Sequence, residues 1–165
     1  MQYVCKYQSP LGKITLAGEG DALIGLWFEN QKYFGATLAE EWEEGTLPVL
    51  ERTIEWLDLY FGGKIPDFVP EISFVDTPFR IAVWERLLDI PYGNTMTYGE
   101  IAALIAEQTG KSRMSAQVIG AAVGHNPISI IVPCHRVVGA DGSLIGYAGG
   151  IYRKDNLLTL EKMHK

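Results

Sequence analysis

Apolar and polar residues alternate with a period of two from Tyr3 to Phe28 and then give way to helical spacings of three and four. The alternating stretches are Tyr3–Tyr7, Lys13–Ala17 and Ala22–Phe28, separated by the turn sequences Ser9-Pro10-Leu11-Gly12 and Gly18-Glu19-Gly20-Asp21. This pattern predicts a three-stranded antiparallel meander. Beyond an acidic stretch at Glu40–Glu44, Pro48 opens a helical repeat with Leu50, Ile54, Leu57 and Phe61 on one face, and Gly62-Gly63 closes it. The first part of the chain is thus a small sheet backed by a helix. It holds no cluster of catalytic spacing, and a supporting role is expected of it.

From Thr77 onward the pattern is helical. Thr77 caps a helix with Pro78 at its first position, and Phe79, Ala82, Val83, Leu87 and Ile90 form its buried face until Pro91-Tyr92-Gly93 ends it. Thr97 begins the next helix, and Glu100 three residues later completes a capping box. Ser115 caps a third helix running to about Val123. These two short helices flank a polar turn at Thr109–Met114 and are rich in alanine and glycine, which permit close approach to another surface. They form a helix-turn-helix candidate, with tight internal packing as the other reading. The whole reads as an α+β protein. Residues 1–77 form a small antiparallel sheet with a helix, and 78–165 a mostly helical part resembling a winged helix-turn-helix.

The apolar run Ile130-Ile131-Val132-Pro133-Cys134-His135-Arg136-Val137-Val138 interrupts the helical texture. By composition it is a buried strand, where an unpaired cysteine is usually a small inert core residue. Against that, a thiolate is a strong nucleophile, and neighbouring cations lower a thiol's pKa. Spacing does not choose between the two. On an extended backbone His135 faces away from Cys134 and needs a turn or a bridging water to reach the sulfur. Arg136 either shares the cysteine's face or is a surface or ion-paired residue.

Length and charge narrow the partners. A chain of 165 residues with 47% hydrophobic positions buries a sizeable core. Cys5 and Cys134 lie far apart without a CxxC or paired Cys/His spacing, which argues against a metal site or disulfide framework and fits a reducing, cytoplasmic setting. No charged leader is visible and no apolar stretch approaches membrane-spanning length, so neither secretion nor a membrane anchor is expected. The net charge of −6 disfavours a polyanionic partner for the chain taken whole. Yet residues 1–77 hold 5 Lys+Arg against 13 Asp+Glu, giving −8, while residues 78–165 hold 9 against 7, giving +2. A nucleic-acid contact therefore belongs to the second part, with a weak, salt-sensitive phosphate attraction.

Thr97-Tyr98-Gly99-Glu100, the Asn126-Pro127 corner, Pro133-Cys134-His135-Arg136-Val137-Val138 with Gly139, and Tyr147-Ala148-Gly149-Gly150 follow one another along the second part. Together they closely resemble the O6-alkylguanine-DNA alkyltransferases, and the Pro-Cys-His-Arg-Val signature is highly specific in this context. The resemblance implies a suicide repair protein, a monomer that needs neither cofactor nor metal. It would move the alkyl group of O6-alkylguanine in double-stranded DNA onto Cys134, with O4-alkylthymine left open as a second substrate. His135, acting through a water and oriented by Glu161 on the last helix, would take the thiol proton. Tyr98 matches the proton donor to the leaving guanine. Asn126 matches the residue that ties the helix-turn-helix to the active-site strand.

The target atom lies inside a duplex, so the base must be rotated out, and Tyr147, Gly149 and Gly150 fit the loop of the receiving pocket. The helix-turn-helix would lie in the minor groove, and the resemblance gives DNA or base contacts to Arg113, Ser115, Arg136 and Val137. Two positions depart from the family. Gln117 stands where an arginine usually fills the gap left by the flipped base, which puts DNA affinity in doubt. Ala148 stands where some members carry a serine that helps to hold the O6 atom. Two other functions compete with alkyl transfer. A non-enzymatic lesion sensor similar to the alkyltransferase-like proteins is disfavoured by Cys134, which those proteins lack. A winged helix-turn-helix regulator leaves Tyr98, His135, Glu161 and Tyr147 without a reason to occur together.

Overall fold

The computed structural model describes residues 1–165. The alternating segments form β1 (Gln2–Ser9), β2 (Gly12–Glu19) and β3 (Ala22–Phe28), paired antiparallel in sequence, with Val4 opposite Ala17 and Leu16 opposite Leu26. The sheet is not wholly antiparallel. A fourth strand, β4 (Trp42–Glu44), adds in parallel to β1 and gives the order β3-β2-β1-β4. Its three side chains are all exposed, so the acidic stretch carries no alternation that would reveal a strand. Ile14, Leu16, Leu26 and Phe28 face the main core. On the opposite face Val4, Ala17, Ile24 and Trp27 are covered by Leu38.

The helix α1 (Pro48–Phe61) closes the main-core face, burying Val49, Leu50, Thr53, Trp56, Leu57 and Tyr60. Ile54 and Phe61 of the expected stripe are only half-buried. Trp56 and Tyr60 take the interior because they bury more area and stack on each other, ring centroids 5.1 Å apart. Next, α2 (Pro78–Leu87) starts as expected, with the Thr77 hydroxyl accepting from the Arg80 amide, but stops short of Pro91. The helices α3 (Tyr98–Gln108) and α4 (Ala116–Gly124) carry the expected capping box at Thr97–Glu100 and the Ser115 cap. The two-residue strands β5 (Met96–Thr97) and β6 (Val137–Val138) pair in parallel, and α5 (Ile151–His164) ends the fold.

One core of 27 buried residues draws on both parts of the chain. The free edge of β3 explains how. Leu23 exchanges backbone hydrogen bonds with the segment at Glu71 and Ser73, and Leu26 does so with Pro127 and Ser129. The sheet therefore fixes the segment that leads into Cys134.

Candidate active site

Two devices shape that segment. Asn126, buried beside β3, donates from Nδ2 to the carbonyls of Val132 (2.8 Å) and Ile128 (3.3 Å) and accepts the Ile128 amide on Oδ1 (3.0 Å). Ile130 sits at φ 70°, a left-handed conformation that costs a β-branched residue energy and persists only where its surroundings enforce it. After Pro133 the chain makes a single 3₁₀ turn, Cys134–Arg136, so the apolar run becomes a strand only at Val137. In such a turn successive side chains point about 120° apart rather than to opposite faces. Cys134 can therefore face a surface cleft while His135 and Arg136 both reach Glu161 on α5.

Glu161 is fully buried and accepts five hydrogen bonds. Oε1 takes Arg136 Nε (2.8 Å) and the Gly93 amide (3.0 Å). Oε2 takes His135 Nε2 (2.5 Å), Tyr60 Oη (2.6 Å) and Arg136 Nη2 (3.1 Å). Burial alone would raise this carboxyl's pKa. The hydrogen bonds from His135 and the Arg136 guanidinium outweigh it and hold the group well below the usual carboxylate range. An ionised carboxylate only accepts, so Nε2 of His135 carries the proton and Nδ1 keeps its lone pair. That nitrogen is buried and makes no hydrogen bond to the protein. Burial pulls the imidazole's pKa below 6.5, against the attraction of Glu161, so at neutral pH His135 is an uncharged base. Burial likewise pushes the Cys134 thiol up to about 11, opposed by the Asn126 amide and the Lys154 charge. At pH 7 only about one thiol in ten thousand is ionised. The proton must leave as the sulfur reacts.

The cleft above Cys134 holds about 230 Å³ and is walled by Tyr98, Tyr147, Ala148, Gly120 and Ala121. Tyr98, the first residue of α3, donates its hydroxyl to the Ile145 carbonyl (2.9 Å). Burial and the neighbouring Cys134 push its pKa up to about 12, so it keeps its proton. At Gly149 a Cβ would stand 2.7 Å from the Tyr147 ring and 3.1 Å from Phe28, and only glycine fits. Gly150, at φ 95°, turns the chain into α5. Lys32 and His125 are the basic side chains among the lining residues, and no carboxylate lines the cleft.

The structure thus brings Cys134, Tyr98, Tyr147 and Ala148 to one cleft, with Asn126, His135 and Glu161 behind it. Arg113, Ser115 and Gln117 sit apart, exposed around the start of α4. The Ser115 hydroxyl is occupied in capping, accepting from the Gln117 and Val118 amides. Arg136, given a DNA contact by resemblance, is instead buried and bound to Glu161 and the Ile90 carbonyl (2.7 Å). The Val137 side chain is fully buried, and its carbonyl receives Lys154 Nζ (2.5 Å).

Lys154 was not legible as a site residue. Its ammonium, buried under the cleft, also donates to Gly146 (3.1 Å) and Ile145 (3.3 Å) and fastens the Tyr147 loop to β6. Burial lowers its pKa to about 8. The stripe Lys154, Leu157, Glu161 at i, i+3, i+7 is the signal that two charges of α5 turn inward. The first part of the chain also reaches the cleft. Lys32 and Tyr33 line it, the Lys32 amide donates to Ala148 (3.0 Å), and Tyr33 stacks on His125 with centroids 4.0 Å apart. From α5, Arg153 crosses to the Leu11 and Glu29 carbonyls. No local pattern announces those contacts.

Comparison with known proteins gives the family and the fold. The family model for the 6-O-methylguanine DNA methyltransferase DNA binding domain matches residues 78–163, and that for the ribonuclease-like domain of the same family matches residues 3–74. The methylated-DNA–protein-cysteine methyltransferase of Mycobacterium leprae is 45% identical over 154 residues, 93% of this chain and 88% of the relative. That of Haemophilus influenzae is 36% identical over 163 residues, 98% of this chain and 87% of the relative. Among solved structures, Mycobacterium tuberculosis OGT in complex with DNA superposes with a TM-score of 0.85 at 42% identity, covering 98% of this chain and 94% of that one. The O6-methylguanine-DNA methyltransferase of Pyrococcus kodakaraensis gives a TM-score of 0.65 at 26% identity, covering 98% and 99%. With its cysteine, histidine and glutamate inside the matched DNA binding domain, and with relatives aligned along nearly its whole length, this chain belongs to the 6-O-methylguanine DNA methyltransferase family.

Proposed function

We propose that this protein repairs DNA by moving the alkyl group of O6-alkylguanine onto Cys134 in a single, stoichiometric turnover. The observation that carries the reading is the Cys134 thiol facing a cleft with the buried His135–Glu161 pair behind it. In the reaction the sulfur–carbon bond forms as the carbon–O6 bond breaks. The thiol proton passes to Nδ1 of His135 through a bridging water, the guanine ring takes a proton from the Tyr98 hydroxyl as it leaves, and the proton gained by His135 returns through solvent to the Tyr98 phenolate. Sulfur suits displacement at an alkyl carbon because it is soft and polarisable. No cofactor enters this balance. The product is a thioether with no easy route back to thiol, which makes the protein a reagent consumed once.

The base reaches the cleft by leaving the duplex, and the uncharged walls suit a neutral heterocycle better than a phosphate. The helix α4 contains no charged residue, so Gln117, Val118 and Ala121 on its outer side bring no carboxylate against the minor groove. Gln117 fills the gap in the stack, and Arg113 meets a phosphate. We assign alkyl transfer and DNA contact to residues 78–165 and support of the cleft to residues 1–77, in a reducing cytoplasm that keeps the thiol free. Intact-mass measurement after incubation with a duplex containing O6-methylguanine tests the proposal. The expected result is one added methyl group, located at Cys134, with no further reaction after one equivalent. Reduced, folded protein that gains no mass would overturn it.

A further inference from the structure

The Glu161 network has one donor from the first part of the chain. Tyr60, on α1, is fully buried and donates its hydroxyl to Glu161 Oε2 at 2.6 Å, the same oxygen that receives the His135 N–H. Its ring is held on three sides, stacked on Trp56 and edge-on to Phe61 (5.3 Å, 87°) and Tyr92 (6.0 Å, 76°). We propose that Tyr60 is a positioning residue for alkyl transfer, setting the base strength of His135 through the carboxylate oxygen they share. The inference rests on the reading of Cys134 as alkyl acceptor and His135 as its base.

Each donor on Oε2 withdraws charge from it. The more that charge is shared, the less the oxygen stabilises an imidazolium on His135, and the more of the imidazole stays neutral and able to take the thiol proton. The groups facing His135 and Glu161 are Arg136 on the turn of His135, Lys154 on α5, Tyr60 on α1, Tyr92 after α2, and Tyr147 in the cleft loop. Of these, only Tyr60 and Arg136 donate to Oε2 beside His135. Arg136 spreads its two bonds over both carboxylate oxygens, so the Tyr60 phenol is the donor confined to Oε2. A tyrosine that merely filled the core would leave the base strength of His135 indifferent to its hydroxyl.

The test is the single-turnover rate of methyl transfer from an O6-methylguanine duplex between pH 5 and 9. It compares wild-type protein, Tyr60→Phe, and protein carrying 3-fluorotyrosine at position 60. Removing the hydroxyl should move the acid limb to higher pH by about half a unit, roughly a threefold loss of rate on that limb. Fluorination makes the phenol a stronger donor at nearly unchanged shape, and the limb should move to lower pH. If Tyr60→Phe does not fold, the fluorinated protein carries the test alone. Limbs that coincide with wild type within about 0.2 unit, whatever the change in melting temperature, would overturn the proposal. Absence of transfer by wild-type protein at every pH would instead sink the function on which it rests.

Discussion

Replacing Glu161 by Gln removes the one negative charge from a buried group of five donors. A carboxylate satisfies all five on two oxygens, Arg136 Nε and the Gly93 amide on Oε1, and Tyr60, His135 and Arg136 Nη2 on Oε2. A carboxamide has one oxygen. Whichever way it turns, its NH₂ group confronts at least two donors, and the Arg136 guanidinium, 8% exposed, keeps the Ile90 carbonyl and one of its two bonds to residue 161 but loses its counter-charge. Breaking a buried ion pair from one side costs about 3–5 kcal/mol, because the remaining charge is left without compensation. Against a typical stability of about 5–15 kcal/mol, that is a large share. Urea unfolding should show the loss as a lowered midpoint with an unchanged slope. Adding Arg136→Met to Glu161→Gln should cost less than the two single changes together, since the second removes the stranded charge. The transfer rate of folded Glu161→Gln should also fall, because the neutral amide no longer holds the proton on Nε2. A loss below about 1 kcal/mol, or strict additivity in the double variant, would refute the claim that Glu161 anchors a buried charge network.

Lys154→Met deletes three hydrogen bonds to the Val137, Ile145 and Gly146 carbonyls and should cost about 2–4 kcal/mol; hydrogen exchange should rise in residues 145–150, and unchanged exchange there would argue against the fastening role. Acid should destabilise the protein in two stages. Glu161 and His135 both have folded pKa values below their ordinary 4.5 and 6.5, so the unfolded chain binds more protons as pH falls. The stability they contribute is present above those ordinary values and is lost first below about 6.5 and then below about 4.5; a melting temperature constant from pH 7 to 4 would contradict this. Gln117→Arg should tighten duplex binding and steepen its salt dependence, and an unchanged affinity and repair rate would count against placing Gln117 in the stack.

What depends on a few neighbouring residues was open to reading in the sequence. The caps at Thr77, Thr97–Glu100 and Ser115 answer free backbone amides within one turn, and the alternation of β1 to β3 with its glycine turns is equally local. The Cys134-His135-Arg136 signature and its companion motifs identified the family. The sequence could not say which way each side chain would face, and that was decided by contacts between distant segments. β4 exists because β1 offered an edge, and α1 turns Trp56 and Tyr60 inward because the core had room for two stacked rings. Arg136 turns inward to Glu161 because a 3₁₀ turn, held by Asn126 and the β3 edge, directs it there. Cys134 reads as a core thiol or a nucleophile in isolation. It faces a cleft with a base behind it because Glu161 gathers donors from α1, from the turn after α2 and from the turn at Cys134 itself, and a buried charge is stable only where such donors converge.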